Sequence, residues 1–204
     1  MRKIAIVGAG GINSWATKFL NEMLMKIEYD DYLITLFDKD EVEEKNIISN
    51  NQNFTAEDVM TCKAEALSKK YGFAFDACYI DETNISKLQH YDDIILGVDN
   101  NKTRELIYKF AIENNKYLLD MRAQATQIAY YVVDRKHDFE YYKKLLFNNP
   151  LVMERKGSCQ LQRDIENKHI EMGNYIIACL GINACYLKHL RNEELAMDEF
   201  KVAY

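Results

Sequence analysis

Short apolar runs alternate with amphipathic stretches along this chain, the pattern of strands and helices taken in turn. Residues 3–7 (KIAIV), 32–37 (YLITLF), 73–79 (FAFDACY), 93–98 (DIILGV), 116–120 (KYLLD) and 126–133 (TQIAYYVV) have the length and composition of strands. Helices are expected between them, at about 12–27, 57–71, 83–89 and 101–114. This alternation predicts a mostly parallel sheet with helices on its faces. The fifth and sixth strands leave no room for a helix between them, so the sixth is expected to run antiparallel. A helix near 138–147 should stop at Asn148-Asn149-Pro150, because proline disfavours helical backbone at the residue before it. Residues 148–168 are polar and mixed and read as a crossover loop. A long helix over 169–191 follows, with a short strand from Phe200 to Ala203. With no internal repeat, low-complexity tract or flexible linker, residues 1–204 read as one α/β domain whose sheet has an antiparallel extension toward the carboxyl terminus.

Charge and cysteine content remove several function classes. The net charge is −6 and the lysines are scattered among carboxylates, so the basic stripe that phosphate backbones require is missing and no nucleic-acid partner is expected. The apolar run after Met1-Arg2-Lys3 is too short for a signal peptide or a membrane span, and no later run reaches spanning length. The five cysteines (Cys62, Cys78, Cys159, Cys179, Cys185) are odd in number and widely spread, which fits a reducing cytoplasm better than a disulfide scaffold. No Cys-x-x-Cys pair supports structural zinc. His90, His137, His169 and His189 lack metal-ligand spacing and read as surface or capping residues, while Tyr130-Tyr131 reads as core or dimer interface.

Chemistry begins where the first strand runs into Gly8-Ala9-Gly10-Gly11-Ile12-Asn13-Ser14. Glycines permit positive φ and let a phosphate reach the backbone, and the helix start behind them presents unpaired N–H groups. On the first strand of an alternating α/β pattern this predicts a Rossmann-like fold that binds a nucleotide. Asn13 stands where a dinucleotide fingerprint has its third glycine, the one that lets helix and strand pack closely, so a dinucleotide is the poorer fit. The second strand ends at Asp38, an acid placed to accept hydrogen bonds from ribose hydroxyls.

Four elements then occur in one order: GAGGINS from Gly8, DKDEVEEKN from Asp38 to Asn46, a lysine at Lys63, and DNNKTR from Asp99 to Arg104. Together they resemble the ubiquitin-activating enzyme superfamily, which includes the ThiF and MoeB adenylyltransferases, over about the first 120 residues. The resemblance implies that ATP lies over the glycine loop and that a carboxylate attacks its α-phosphorus, releasing pyrophosphate. Such chemistry depends on positioning and on neutralising phosphate charge more than on a general base. By the same resemblance Gly8, Gly10 and Gly11 cradle the nucleotide, Asp38 holds the ribose, and Asp40 belongs to the same binding segment. Asn46 makes polar contacts near the phosphates, Lys63 pairs with them, and Asp99 holds Mg²⁺. Arg104 is expected to order its loop rather than touch substrate, and Asp99-Asn100 are also suited to capping the helix that follows.

The chain departs from the family pattern in two places. The family usually has an arginine shortly after the asparagine, contacting phosphate, and this chain reads Asn46-Ile47-Ile48-Ser49-Asn50-Asn51-Gln52 instead. Many members also carry an amino-terminal helix whose arginine reaches the partner subunit's site, an element not expected ahead of the strand at Lys3. Lys39, Lys45, Arg122, Arg155 and Arg163 are the cations available to substitute. Cys159, with Arg155, Lys156 and Arg163 nearby, is the candidate acceptor for a thioester, since nearby cations favour the thiolate. Cys179 and Cys185 fall on an apolar helix and read as core, and Cys62 and Cys78 as core or near-core. The implied activity is ATP-dependent adenylation of the C-terminal glycine of a ubiquitin-like or sulfur-carrier protein by a homo- or heterodimer. A non-catalytic, partner-dependent subunit is the second reading. An NAD-dependent oxidoreductase is the third, and it leaves Lys63 and Asp99 without a role.

Overall fold

The computed structural model describes residues 1–48, 52–124, 127–133, 137–148, 172–195 and 197–203. Strands β1 (Arg2–Val7), β2 (Tyr32–Phe37), β3 (Ala74–Asp76), β4 (Asp93–Leu96), β5 (Tyr117–Gln124), β6 (Gln127–Val133) and β7 (Glu199–Ala203) form one sheet in the order β3-β2-β1-β4-β5-β6-β7. The first five are parallel, and β6 and β7 add on antiparallel. Helix α1 (Gly11–Lys26) and helix α3 (Lys63–Tyr71) pack on one face with the carboxyl-terminal helix α6 (173–190). Helix α4 (Asn101–Glu113) and helix α5 (139–147) cover the other. Side chains alternate along each strand accordingly: Ile4, Ile6, Ile34, Leu36 and Ile95 face α1, while Ala5, Val7, Phe37, Ile94 and Leu96 face α4.

This topology places the site. From β1 the chain turns onto one face of the sheet and from β4 onto the other, so a crevice opens between the carboxyl ends of these neighbouring strands. Open α/β sheets bind ligands at such a switch point.

Several expected boundaries shift for local reasons. The helix expected over 57–71 is two pieces, a 3₁₀ turn at Ala56–Asp58 and then α3, because Met60 takes a positive φ of 68° and an isolated bridge pairs Cys62 with Glu41. The helix expected at 83–89 is 3₁₀ (Ile85–His90). Strand β3 keeps only three residues of the expected 73–79, and β5 continues four residues past its expected end by pairing with β6. A one-turn helix, α2 (Glu44–Ile48), was not expected at all. Helix α5 ends at Phe147, as Pro150 demands, and its second half is a π turn. Helix α6 also carries a π turn (Gly181–Tyr186), entered at Gly181, where a Cβ would stand 2.4 Å from Met121 Sδ.

Tyr130 and Tyr131 are core, and His189 is neither surface nor cap. Its ring stacks on Tyr117 at 3.6 Å and its Nε2 lies 3.0 Å from Asp93, whose carboxylate also takes Arg2 and Tyr186. Cys185 is buried and its burial pushes the thiol up to about 11, which suits an inert core residue, whereas Cys62, Cys78 and Cys179 are half-buried. Among the described residues no helix is long and apolar enough to cross a membrane.

Candidate functional site

The glycine loop leaves β1 through Gly8, whose φ of +84° and close approach to the β4 side both require glycine. A Cβ there would sit 3.0 Å from both Gly97 O and Val98 Cγ1. Gly8 N–H donates to Phe37 O at 2.9 Å, and the first backbone bond of α1 runs from Ser14 N–H to Gly10 O. The amides before Ser14 therefore have no helical acceptor and carry the positive end of the helix dipole. Above Gly10 the space is open, with no atom within 4 Å of where a Cβ would stand. Gly11 is closed from above by α6, since a Cβ there would stand 2.2 Å from Asn174 Nδ2.

Asn13 does not loosen this packing as its sequence position suggested. Its fully buried amide donates to Val7 O at 3.0 Å and Gly8 O at 2.8 Å, bridging strand end and loop. Space for it comes from Gly97 across the crevice, where a Cβ would meet Asn13 Cγ at 2.6 Å. The small residue that this packing needs stands at position 97, opposite Asn13.

Asp38 is buried and braces the loop, Oδ2 accepting from Ala9 N–H at 2.6 Å and Oδ1 from Asp40 N–H at 2.8 Å. Burial pushes its carboxyl above the usual range against the pull of those two amides. Each oxygen retains a further lone pair. Lys63 begins α3, its backbone N–H donating to Asp40 O at 2.7 Å. Its ammonium is largely buried and lies 3.2 Å from Asp40 Oδ2. The other Asp40 oxygen accepts from the Tyr79 hydroxyl. Burial alone would raise the Asp40 carboxyl, but Tyr79 and Lys63 together hold it below its ordinary value. Lys63 is thus a buried cation at a loop–helix junction, compensated by a half-exposed carboxylate.

Asn46 is buried in α2 and its Oδ1 accepts from Glu43 N–H at 2.8 Å, so it secures the turn after β2. Asn100 caps α4 through Thr103 N–H at 2.8 Å. Asp99 is left exposed, with no hydrogen-bond or ion-pair partner among the described residues. Arg104 reaches back to Val98 O and to Asp120, holding the Asp99 turn from behind. Asp120 is fully buried and also takes Arg122 Nε at 2.8 Å and Tyr108 at 3.0 Å. Gly8, Gly10, Gly11, Asp38, Asp40, Lys63 and Asp99 thus gather at the carboxyl ends of β1, β2 and β4. Cys159, Arg155 and Arg163 lie outside the described residues.

Of the other candidate cations, Lys45 pairs with Glu43 at 2.9 Å and Lys39 lies 4.5 Å over the Tyr79 ring. Tyr79, Gly97, Asp120 and Asn174 were not singled out from sequence. Each acts through a contact between distant parts of the chain, and Gly97 alone carried a local signal, a glycine closing an apolar strand. Among the described residues no group of three His, Cys, Asp or Glu is placed to hold a metal. A lone exposed carboxylate nevertheless suits Mg²⁺, which keeps waters and takes its other ligands from phosphate.

A search of curated proteins finds none that matches. Among solved structures, the selenomethionine form of PaaA superposes with a TM-score of 0.68 and 16% identity, covering 100% of this chain and 69% of that one. E. coli MccB with ATP gives 0.71 and 17% over 100% of this chain, and MccB alone 0.71 and 18%. This chain spans 60% of MccB in the first and 59% in the second, so the relatives are longer proteins that share its fold. A family profile extends the likeness to sequence, matching residues 1–198, from the glycine loop through the carboxyl-terminal helix. The chain belongs to the ThiF family.

Proposed function

We propose that this protein uses ATP to adenylate a carboxylate, most specifically the C-terminal glycine of a ubiquitin-like or sulfur-carrier protein, within a single domain spanning residues 1–204. The observation that carries this reading is the placement of three features around one crevice. They are the Gly10 backbone beneath open space at the start of α1, the buried Lys63 ammonium, and the exposed Asp99 carboxylate. The first two would bind triphosphate oxygens, and Asp38 would orient the ribose. Asp99 would hold Mg²⁺, which would supply neutralisation of phosphate charge. Asp40 and Tyr79 hold Lys63 in place, so its charge is oriented before substrate arrives. Membership of the ThiF family supports the nucleotide, as does the likeness in fold to MccB, a protein crystallised with ATP. Transfer to Cys159 as a thioester, and assembly as a homo- or heterodimer, belong to the same proposal.

One observation favours a partner-dependent subunit as the second reading. No arginine stands among residues 47–52, just after Asn46, and Lys45, Lys39 and Arg122 each already face a partner group. ATP–pyrophosphate exchange with carrier proteins ending in Gly-Gly tests both readings. Wild type should exchange, and Lys63→Ala and Asp99→Ala should each lower the rate by about a hundredfold or more, the scale of losing a charge that stabilises a transition state. Binding of ATP without exchange, restored by adding a second ThiF-family chain, would establish the partner-dependent reading instead.

A further inference from the structure

We infer that Asn13 is a positioning residue that ties the glycine loop to the Gly97–Asp99 turn, so that the phosphate cradle and the Mg²⁺-side carboxylate hold one fixed spacing. The inference rests on the nucleotide reading above and extends it to a residue of the glycine segment to which the resemblance gives no role. Asn13 sits on the first turn of α1 with none of its surface exposed. Its Nδ2 reaches backward to two consecutive carbonyls, Val7 at 3.0 Å and Gly8 at 2.8 Å. Its carbonyl oxygen is buried with no hydrogen-bond partner. A core filler would not be chosen this way, because an unsatisfied buried oxygen is costly and an apolar side chain of similar size avoids the cost.

What the side chain does is span the crevice. Its carboxamide plane lies against Gly97, where a Cβ would come within 2.6 Å of Cγ and 2.7 Å of both Nδ2 and Oδ1. Gly97 N–H itself donates to Val7 O at 3.0 Å, the same carbonyl that Asn13 holds. Val7 O is therefore a shared anchor for the helix on one side and the β4 turn on the other. Two residues beyond Gly97 stands Asp99, and the carbonyl between them, on Val98, is fixed by Arg104. A shift at Asn13 is thus passed to the Asp99 turn through packed backbone with no flexible side chain in between.

The test uses the whole protein with Asn13→Gly, Gly97→Ala and the double variant. ATP binding is measured by calorimetry with and without Mg²⁺, and amide exchange is measured on the unliganded protein. In wild type Mg²⁺ should tighten ATP binding. Asn13→Gly should stay folded, bind ATP about tenfold more weakly, as expected for losing two hydrogen bonds, and lose the gain from Mg²⁺. Its amides should exchange faster at both 9–11 and 98–100. Gly97→Ala should be worse than Asn13→Gly, and the double variant better than Gly97→Ala, because removing the carboxamide makes room for the new methyl. Faster exchange confined to 9–13, an unchanged Mg²⁺ gain, or a double variant no better than Gly97→Ala would overturn the inference. If wild type binds no ATP the nucleotide reading falls, and the exchange pattern alone still decides whether Asn13 couples the two turns.

Discussion

Gly10 and Gly8 have different reasons for being glycine, and the difference makes a prediction. Gly8 needs a positive φ, but Gly10 has a φ of −79° that any residue adopts, and open space where a Cβ would stand. Folding therefore places no demand on Gly10, and the demand left is access to the backbone. Gly10→Ala should unfold in urea at the same midpoint as wild type or slightly above it, by about 0.4–1 kcal/mol, through loss of unfolded-state freedom. In calorimetry it should bind ATP more weakly. Equal affinity would remove the glycine loop from the nucleotide site. The residue types of this site were legible in the sequence because they come in short segments of fixed order. The partners that set their state were not. Nothing near Asp40 in sequence announces Tyr79, and Asn13 reads as a defect until Gly97 is seen across the crevice.

Among the elements, the mostly parallel sheet and the antiparallel turn into β6 follow from apolar runs and the length between them. Helix type did not. The helix expected over 169–191 is described from Gly173, with Met172 at its N-cap rather than inside it, through Leu190, and its middle is a π turn entered where Gly181 meets the fully buried Met121. Periodicity cannot show this, because it reports which face is apolar and not whether a sulfur atom on β5 demands a residue without Cβ. Gly181→Ala should cost about 1–3 kcal/mol in urea unfolding, the usual penalty for overpacking a tight core. The loss should shrink in a Met121→Ala background, where the obstructing sulfur is gone. An equal loss in both backgrounds would mean that helix geometry rather than the Met121 contact requires the glycine.

Across the whole molecule, the two ends of the sheet hold buried acids shifted in opposite directions. Asp38, at the carboxyl ends, is raised by burial, whereas Asp93, at the amino ends, is lowered. Burial works against the Asp93 carboxylate too, but His189, Arg2 and Tyr186 surround it and outweigh that cost. A carboxyl whose folded value lies below its unfolded value of about 3.9 stabilises the fold above that pH and loses the contribution as the pH falls through the folded value. A raised carboxyl does the reverse, costing stability as the pH climbs from the unfolded value to the folded one. Asp93→Asn should therefore lower stability at neutral pH and flatten the acid limb below about pH 4, measured by urea unfolding across pH. An acid limb as steep as wild type's would show that Asp93 is not what α6 loses there. The closure of Gly11 by Asn174 sets a schedule as well as a shape. The glycine loop is synthesised before α6, and the side chain that closes it is made 163 residues later. At the usual pace of synthesis that interval is on the order of 10–30 seconds. Throughout it, the nascent chain carries its glycine loop unfinished and open to whatever the cell offers.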